Sequence, residues 1–333
     1  MKNKVQALLS ISITSFLLVW SFRRISFDAV LTTLGDLHLS WLLVGLFTFP
    51  LSFSIRAWRW GVLLKGQPNP GTFHIRHAAV FIGFAANLIL PANAGELVRS
   101  GILKKMAGIS LSSCLGSLLA ARLLDATVAF VFLLLPLFIK VDFNHHFPSG
   151  LPILGLGLIL LALFSIFYLS TRYSKRTVSY IKTTLKAIGF TKFSESMASR
   201  VERILNGLSI FQSPKDLAIA MLQTIAIWTV SGVTFWTTLM AFEIYTPGFS
   251  GALFVQSLES MATIIPSTPG HLGAFEAAIR LALDFYSISP DLIIAYTLVL
   301  RAIMNGSVLL IGILFFLNLG LSRAELMGAK AEE

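Results

Sequence analysis

Six arginines and four carboxylates sit inside long apolar stretches of this sequence: Arg56, Arg59, Arg99, Arg122, Arg280 and Arg301 against Glu96, Asp125, Glu259 and Glu276. A charge at the centre of a bilayer costs roughly 2.5 to 3.5 kcal/mol on insertion scales, so each needs a partner or a task. Side chains of these types can neutralise one another, relay a proton or hold an ion. Six against four leaves a formal excess of two positive charges, and such a pair in a cavity suits an anion such as a phosphate headgroup. The excess vanishes if Arg56 and Arg59, interleaved with Trp58 and Trp60, snorkel to the interface. Arg with Trp near a helix end commonly does so, and that anchoring role is the expectation for this pair.

The charges gather around two helix breaks. Residues 87 to 99 read Asn-Leu-Ile-Leu-Pro-Ala-Asn-Ala-Gly-Glu-Leu-Val-Arg, a polar interruption between apolar runs. Pro91 lacks the helical N–H and crowds the preceding turn, whereas Gly95 lets the backbone restart with Glu96 and Arg99 one turn apart. Irregular backbone at membrane depth survives only against protein or water, so the break should line a cavity. Residues 266 to 280 repeat the device: Pro266, Pro269, Gly270, His271 and Gly273 precede Glu276 and Arg280. The likeness continues downstream, where Ile109-Ser110 precedes Arg122 as Ile288-Ser289 precedes Arg301, thirteen residues from each Ile, with Asp125 and Asn305 trailing. Paired broken segments in two halves point to a transport site at the repeat interface.

These spacings assign Asn87, Asn93, Glu96, Arg99, Arg122, Asp125, Glu276, Arg280 and Arg301 to substrate binding. The half-helices beginning near Gly95 and Gly270 should add free N–H groups and a positive dipole end. The competing reading makes Arg122 with Asp125, and Glu276 with Arg280, intrahelical pairs that only render buried charge tolerable. Glu259, with Gln256 deep in the helix leading to Pro266, and His271 at the second break are the candidates for ion or proton coupling, although a lone His is more often a hydrogen-bonding cap. Covalent chemistry has no footing. There is no H-E-x-x-H, nucleophile elbow, P-loop or aspartate-rich diphosphate motif, and His74 and His77 lack ligand partners at a convincing spacing. Cys114 is the single cysteine. No enzyme activity, cofactor or metal is expected.

The elements that must position these residues are membrane helices, since 55% of the 333 residues are hydrophobic and only 13% charged. The expected fold is an all-α polytopic membrane protein, a single transmembrane domain over residues 1 to 333, with about six full spans and two re-entrant broken-helix hairpins in an inverted repeat. The spans are expected at residues 5 to 22 (retained, with no cleavage site), 41 to 64, 110 to 139, 150 to 170, 216 to 242 and 290 to 321. Residues 65 to 77 read as a loop, 78 to 139 as the first repeat unit and 249 to 321 as the second. Residues 171 to 214 carry eight Lys or Arg against Glu195 and Glu202. Apolar residues there recur at helical spacing, so this basic loop is expected to form amphipathic helices on the inner leaflet or a surface for a partner protein. Its charge puts it, and both termini, in the cytoplasm. The net charge of +10 then speaks to an anionic membrane surface rather than nucleic acid.

On Asn87, Pro91, Gly95, Glu96, Arg99, Arg122 and Asp125, and on Pro266, Pro269, Gly270, Gly273, Glu276 and Arg301, nearly the whole chain resembles the flippase-like family named for the transmembrane region of bacterial lysylphosphatidylglycerol synthases. The resemblance implies a lipid-translocating domain of the bacterial inner membrane, related to proteins that carry aminoacylated phosphatidylglycerol outward. Two departures shape the expectation: the soluble aminoacyl-transfer domain of the synthases is not found here, and Asn93 stands where many relatives carry a basic residue. The expected substrate is an anionic or aminoacylated phospholipid, or an isoprenoid-linked precursor. The alternative is a non-catalytic accessory that presents such a lipid to a glycosyltransferase or lipid synthase.

Overall fold

Helix caps divide the apolar runs. In the computed structural model the described residues are 32, 34–35, 37–90, 94–138, 150–187, 191–263 and 269–320, and among them there is helix and no strand. The helices are α1 (Leu39–Leu63), α2 (Phe73–Ile89), α3 (Gly95–Ala107), α4 (Leu111–Phe138), α5 (Gly150–Arg172), α6 (Ser174–Ala187), α7 (Thr191–Gly207), α8 (Pro214–Ala241), α9 (Gly248–Ala262), α10 (Ala274–Asp284) and α11 (Pro290–Asn318). Thr72 caps α2 by accepting from the Ile75 N–H, and Ser213 caps α8 by accepting from Asp216 ahead of Pro214. Gly108, at φ 72°, stops α3.

Four of these helices, α1, α4, α8 and α11, are long and apolar enough to cross a membrane; α5 and α6 form a further pair bent by 93°. The expected first span, residues 5 to 22, lies outside the described residues. Large apolar side chains cover the outside, as a lipid environment requires: Phe47 and Trp58 of α1 face outward while Phe49, Phe53 and Trp60 are buried.

Packing follows a reciprocal plan. α1 and α8 lie antiparallel along their whole length, for His38 meets Glu243 at one end, Thr48 bonds Thr234 midway and Lys65 pairs with Asp216 at the other. Around this seam α2 packs on α11 and α9 on α4; α2 folds back on α3 as α9 does on α10. Exchanging α1 to α4 for α8 to α11 leaves the set of packed pairs among these eight helices unchanged, whereas α7 packs on α4 without a counterpart on α11.

Several expectations are corrected. The loop of residues 65 to 77 ends earlier, because the Thr72 cap starts α2 at Phe73; His74 and His77 are therefore helical, and His77 bonds Ser54 at 3.0 Å. The second half-helix begins at Ala274 rather than near Gly270, because Gly270 inside a 3-10 turn at Pro269–His271 and Gly273 after it are both at positive φ. The basic segment forms amphipathic α6 and α7 as expected, but the apolar face of α7 packs on α4 instead of on lipid. Ala198, Leu205 and Leu208 are buried, and Gly116 and Gly207 meet so closely that a Cβ on either would lie 2.2 Å from a backbone oxygen.

Candidate functional site

The first break brings its charges to a fixed place. Asn87 accepts the Gly95 N–H at 2.7 Å, closing the hairpin, and the arms approach until a Cβ on Gly95 would lie 1.8 Å from the Gly83 carbonyl oxygen. Only glycine fits. α3 then starts with Glu96 in its first turn. The Glu96 carboxylate accepts from Arg122 of α4, through Nε at 2.8 Å and through a second guanidinium nitrogen, and has Arg99 at 3.3 Å. Arg122 is thus paired with Glu96 across two helices, not with Asp125 along its own.

Asp125, also on α4, is held by arginines of α1. Arg59 donates to both its oxygens, at 2.7 and 3.0 Å, and to Thr224 at 2.8 Å; Trp228 Nε1 donates at 3.2 Å and Arg56 lies 3.7 Å away. This overturns the anchoring role expected of Arg56 and Arg59. Arg59 is 4% exposed whereas neighbouring Trp58 is 65% exposed, so the two point to opposite sides of the helix. Spacing held the missing signal: Arg56, Arg59 and Leu63 recur on the face that carries Phe53 and Trp60.

A recess opens among these groups, lined by Arg56, Arg59, Arg99, Arg122 and Asp125 with Trp60 and Phe84 among its apolar walls. Arg122, 51% exposed, forms its mouth. Four guanidiniums face two carboxylates, Glu96 and Asp125, which leaves a formal charge of +2. The surplus can be located. Nε of Arg56 and Nε of Arg99 are buried without hydrogen-bond partners among the described residues, and both guanidiniums lie over the Phe84 ring, at 5.7 and 5.5 Å. Cations held on aromatic faces with spare donors can receive an anion of phosphate geometry.

The second break builds a related cluster. Glu276 accepts the Gly273 N–H at 2.7 Å and pairs with Arg301 of α11 at 2.8 Å. Arg301 also donates to the Gly270 carbonyl at 2.9 Å and lies over Phe275 at 4.3 Å. Glu96 with Arg122 therefore has its counterpart in Glu276 with Arg301. Both start a half-helix and tie it to the long helix that follows. Arg280 lies 3.9 Å from Asp284, one turn further along α10. The breaks meet: α2 packs on the Pro269–His271 turn, and a Cβ on Gly270 would lie 3.6 Å from the Leu88 carbonyl oxygen.

Of the assigned residues, Glu96, Arg99, Arg122 and Asp125 converge on the recess. Asn87, Gly95, Gly270 and Gly273 shape the breaks, with the Gly95 and Gly273 N–H groups already satisfied by side chains rather than free for a ligand. Glu276 and Arg301 form the second cluster, with Glu259 and His271 in electrostatic reach of Arg301. Pro91, Asn93 and Pro266 lie outside the described residues, as does the side chain of Pro269. Sequence reasoning missed Phe84, Trp60, Thr224 and Trp228, which are apolar or uncharged and carry no spacing signal of their own.

Known proteins match much of this sequence. The family model described as the lysylphosphatidylglycerol synthase TM region matches residues 7–312. A UPF0104 membrane protein of Pyrococcus horikoshii is 24% identical over 68% of this chain and 71% of its own length. Another UPF0104 membrane protein, of Methanothermobacter thermautotrophicus, is 23% identical over 79% of this chain and 78% of its own. Glycosyltransferase AglD of Haloferax volcanii is 22% identical over 91% of this chain, which spans 53% of that relative.

Proposed function

The chain belongs to the family of the lysylphosphatidylglycerol synthase transmembrane region, and we propose that it is a lipid translocase, moving an anionic or aminoacylated phospholipid, or a lipid-linked precursor, between leaflets of the cell membrane. The observation that carries the reading is the recess beside the first break, where two guanidiniums keep unpartnered donors and a formal charge of +2 awaits an anion. The step is transport without covalent chemistry. Arg56 and Arg99 hold the headgroup, Glu96 orients Arg99 and Arg122, and Asp125 fixes Arg59. The acyl chains stay in lipid beyond the mouth at Arg122.

Movement between leaflets requires the recess to open alternately to each side. The antiparallel seam of α1 and α8 and the reciprocal packing of the two halves support an inverted repeat about an axis in the membrane plane, the arrangement that gives alternating access by rocking. In this reading α5 and a further helix before α1 complete six spans, and the basic α6–α7 segment and both termini lie in the cytoplasm. Incubating the detergent-solubilised protein with mixed short-chain lipids and weighing the complexes by native mass spectrometry tests the recess. Phosphatidylglycerol is expected to be retained over a neutral diacylglycerol, and Arg99→Ala to lose that preference; equal retention would refute an anion site.

A second reading is an accessory that presents a lipid-linked substrate to a glycosyltransferase. The relative named glycosyltransferase AglD, in which the matching region is 53% of the length, favours it. An accessory would bind the lipid and leave it in its leaflet.

A further inference from the structure

Glu259 stands apart from every pairing above. It lies on α9, 9% exposed, one turn after Gln256, whose Oε1 is buried without a partner among the described residues while its Nε2 donates to Ser231 at 2.7 Å. Among the described residues no hydrogen bond reaches the Glu259 carboxylate and no cation comes within 4.0 Å. The cations in electrostatic reach come from opposite halves, Arg301 of α11 and Arg56 of α1. The two halves also differ here. Seven residues before Pro266 stands Glu259; seven before Pro91 stands Phe84, the ring under Arg56 and Arg99.

We propose that Glu259 is a proton-binding site linked to headgroup binding: the carboxyl takes up one proton when an anion enters the recess and releases it when the anion leaves. The inference rests on the translocase reading and deepens it. With the recess empty, the Glu259 carboxylate has Arg301 and then Arg56 in electrostatic reach. An anion on Arg56 and Arg99 consumes the positive charge that Arg56 offers Glu259 and adds a negative one beside it, so the neutral carboxyl becomes the favoured form. The balance is simple. An O–H bond forms at Glu259 with a proton from water, the headgroup keeps its charge, and a singly charged headgroup crosses with no net charge.

The surrounding charges are paired to different degrees. On α4, Arg122 pairs with Glu96 and Asp125 with Arg59. Glu276 of α10 lies 2.8 Å from Arg301 of α11, whose Nε and Nη2 are buried without hydrogen-bond partners among the described residues. Tyr296 of α11 donates to the Phe235 carbonyl at 3.2 Å, and α8 contributes Ser231. His271 is the other titratable group near Arg301. Linkage is reciprocal, so protons must raise anion affinity by the factor by which the anion raises proton affinity.

Calorimetric titration of dihexanoyl phosphatidylglycerol into the full-length, detergent-solubilised protein, in buffers of different ionisation heat, counts the protons. The wild type is expected to take up about one proton per lipid bound and to bind more weakly as pH rises, both consequences of the same linkage. Glu259→Gln should bind with no uptake and no pH dependence, whereas His271→Asn should keep both. Lipid binding without uptake in the wild type, uptake retained in Glu259→Gln, or uptake lost in His271→Asn overturns the proton site and leaves the translocase reading intact. No lipid binding by the wild type overturns both. The wild-type and His271→Asn titrations decide the matter even if Glu259→Gln fails to fold.

Discussion

Replacing Arg59 by Met separates a buried structural cation from an interfacial anchor. Arg59 is 4% exposed and holds Asp125 through two bonds of 2.7 and 3.0 Å. Removing one partner of such a pair leaves an uncompensated buried charge, which costs about 3 to 5 kcal/mol. Arg59→Met should fall near the lower figure, because Asp125 keeps Trp228 at 3.2 Å and Arg56 at 3.7 Å. Asp125→Asn should fall near the upper one, because it leaves both Arg56 and Arg59 facing each other without a counter-ion. In the double variant only Arg56 is left without Asp125, so the total loss should stay below that of Asp125→Asn alone instead of adding to it, a coupling far beyond what independent sites show. Unfolding in mixed detergent and sodium dodecyl sulfate micelles, followed by tryptophan fluorescence, measures all three. A snorkelling Arg59 would make Arg59→Met nearly neutral, within about 0.5 kcal/mol. That result, or additivity in the double variant, would refute the pairing.

Other perturbations have equally definite outcomes. Gly95→Ala places a Cβ 1.8 Å from the Gly83 carbonyl oxygen and should open the first hairpin, with a loss of thermal stability that Gly101→Ala, which meets nothing within 4 Å, does not share. Gly207→Ala, whose Cβ would lie 2.2 Å from the Ser113 carbonyl oxygen, should loosen α7 from α4 and speed limited proteolysis of the segment between α5 and α8. In a Cys114→Ala background, a cysteine at Lys105 should react with an impermeant maleimide from the cytoplasm and one at Ser287 from outside; labelling from one side only would remove the inverted repeat.

The breaks were legible in the sequence because proline and glycine act locally. Pro91 and Gly95 announce an interrupted helix whatever surrounds them, and the recurrence of Glu96 and Arg122 as Glu276 and Arg301 survives as spacing. Pairing was not legible, because it is set by distance across helices. Arg122 and Asp125 look like one another's partners at three residues apart, yet Asp125 is claimed by Arg59 of α1 and Arg122 by Glu96 of α3. The misreading of Arg56 and Arg59 had the same origin. Trp58 suggested an interface, and only the packing of α8 beside α1, with Thr224 bonded to Arg59, shows the arginines turned inward. Amphipathicity likewise marked α7 without saying that protein rather than lipid covers its apolar face.

Lipid movement is read directly as leaflet exchange in liposomes holding only this protein. Fluorescent phosphatidylglycerol is distributed through both leaflets and dithionite is added outside. Wild-type vesicles should lose inner-leaflet fluorescence that protein-free vesicles protect, while Glu96→Gln and Arg99→Ala, folded and inserted, should protect it as the empty vesicles do. Protection by the wild type would contradict translocation, and full loss in both variants would remove the recess from its path.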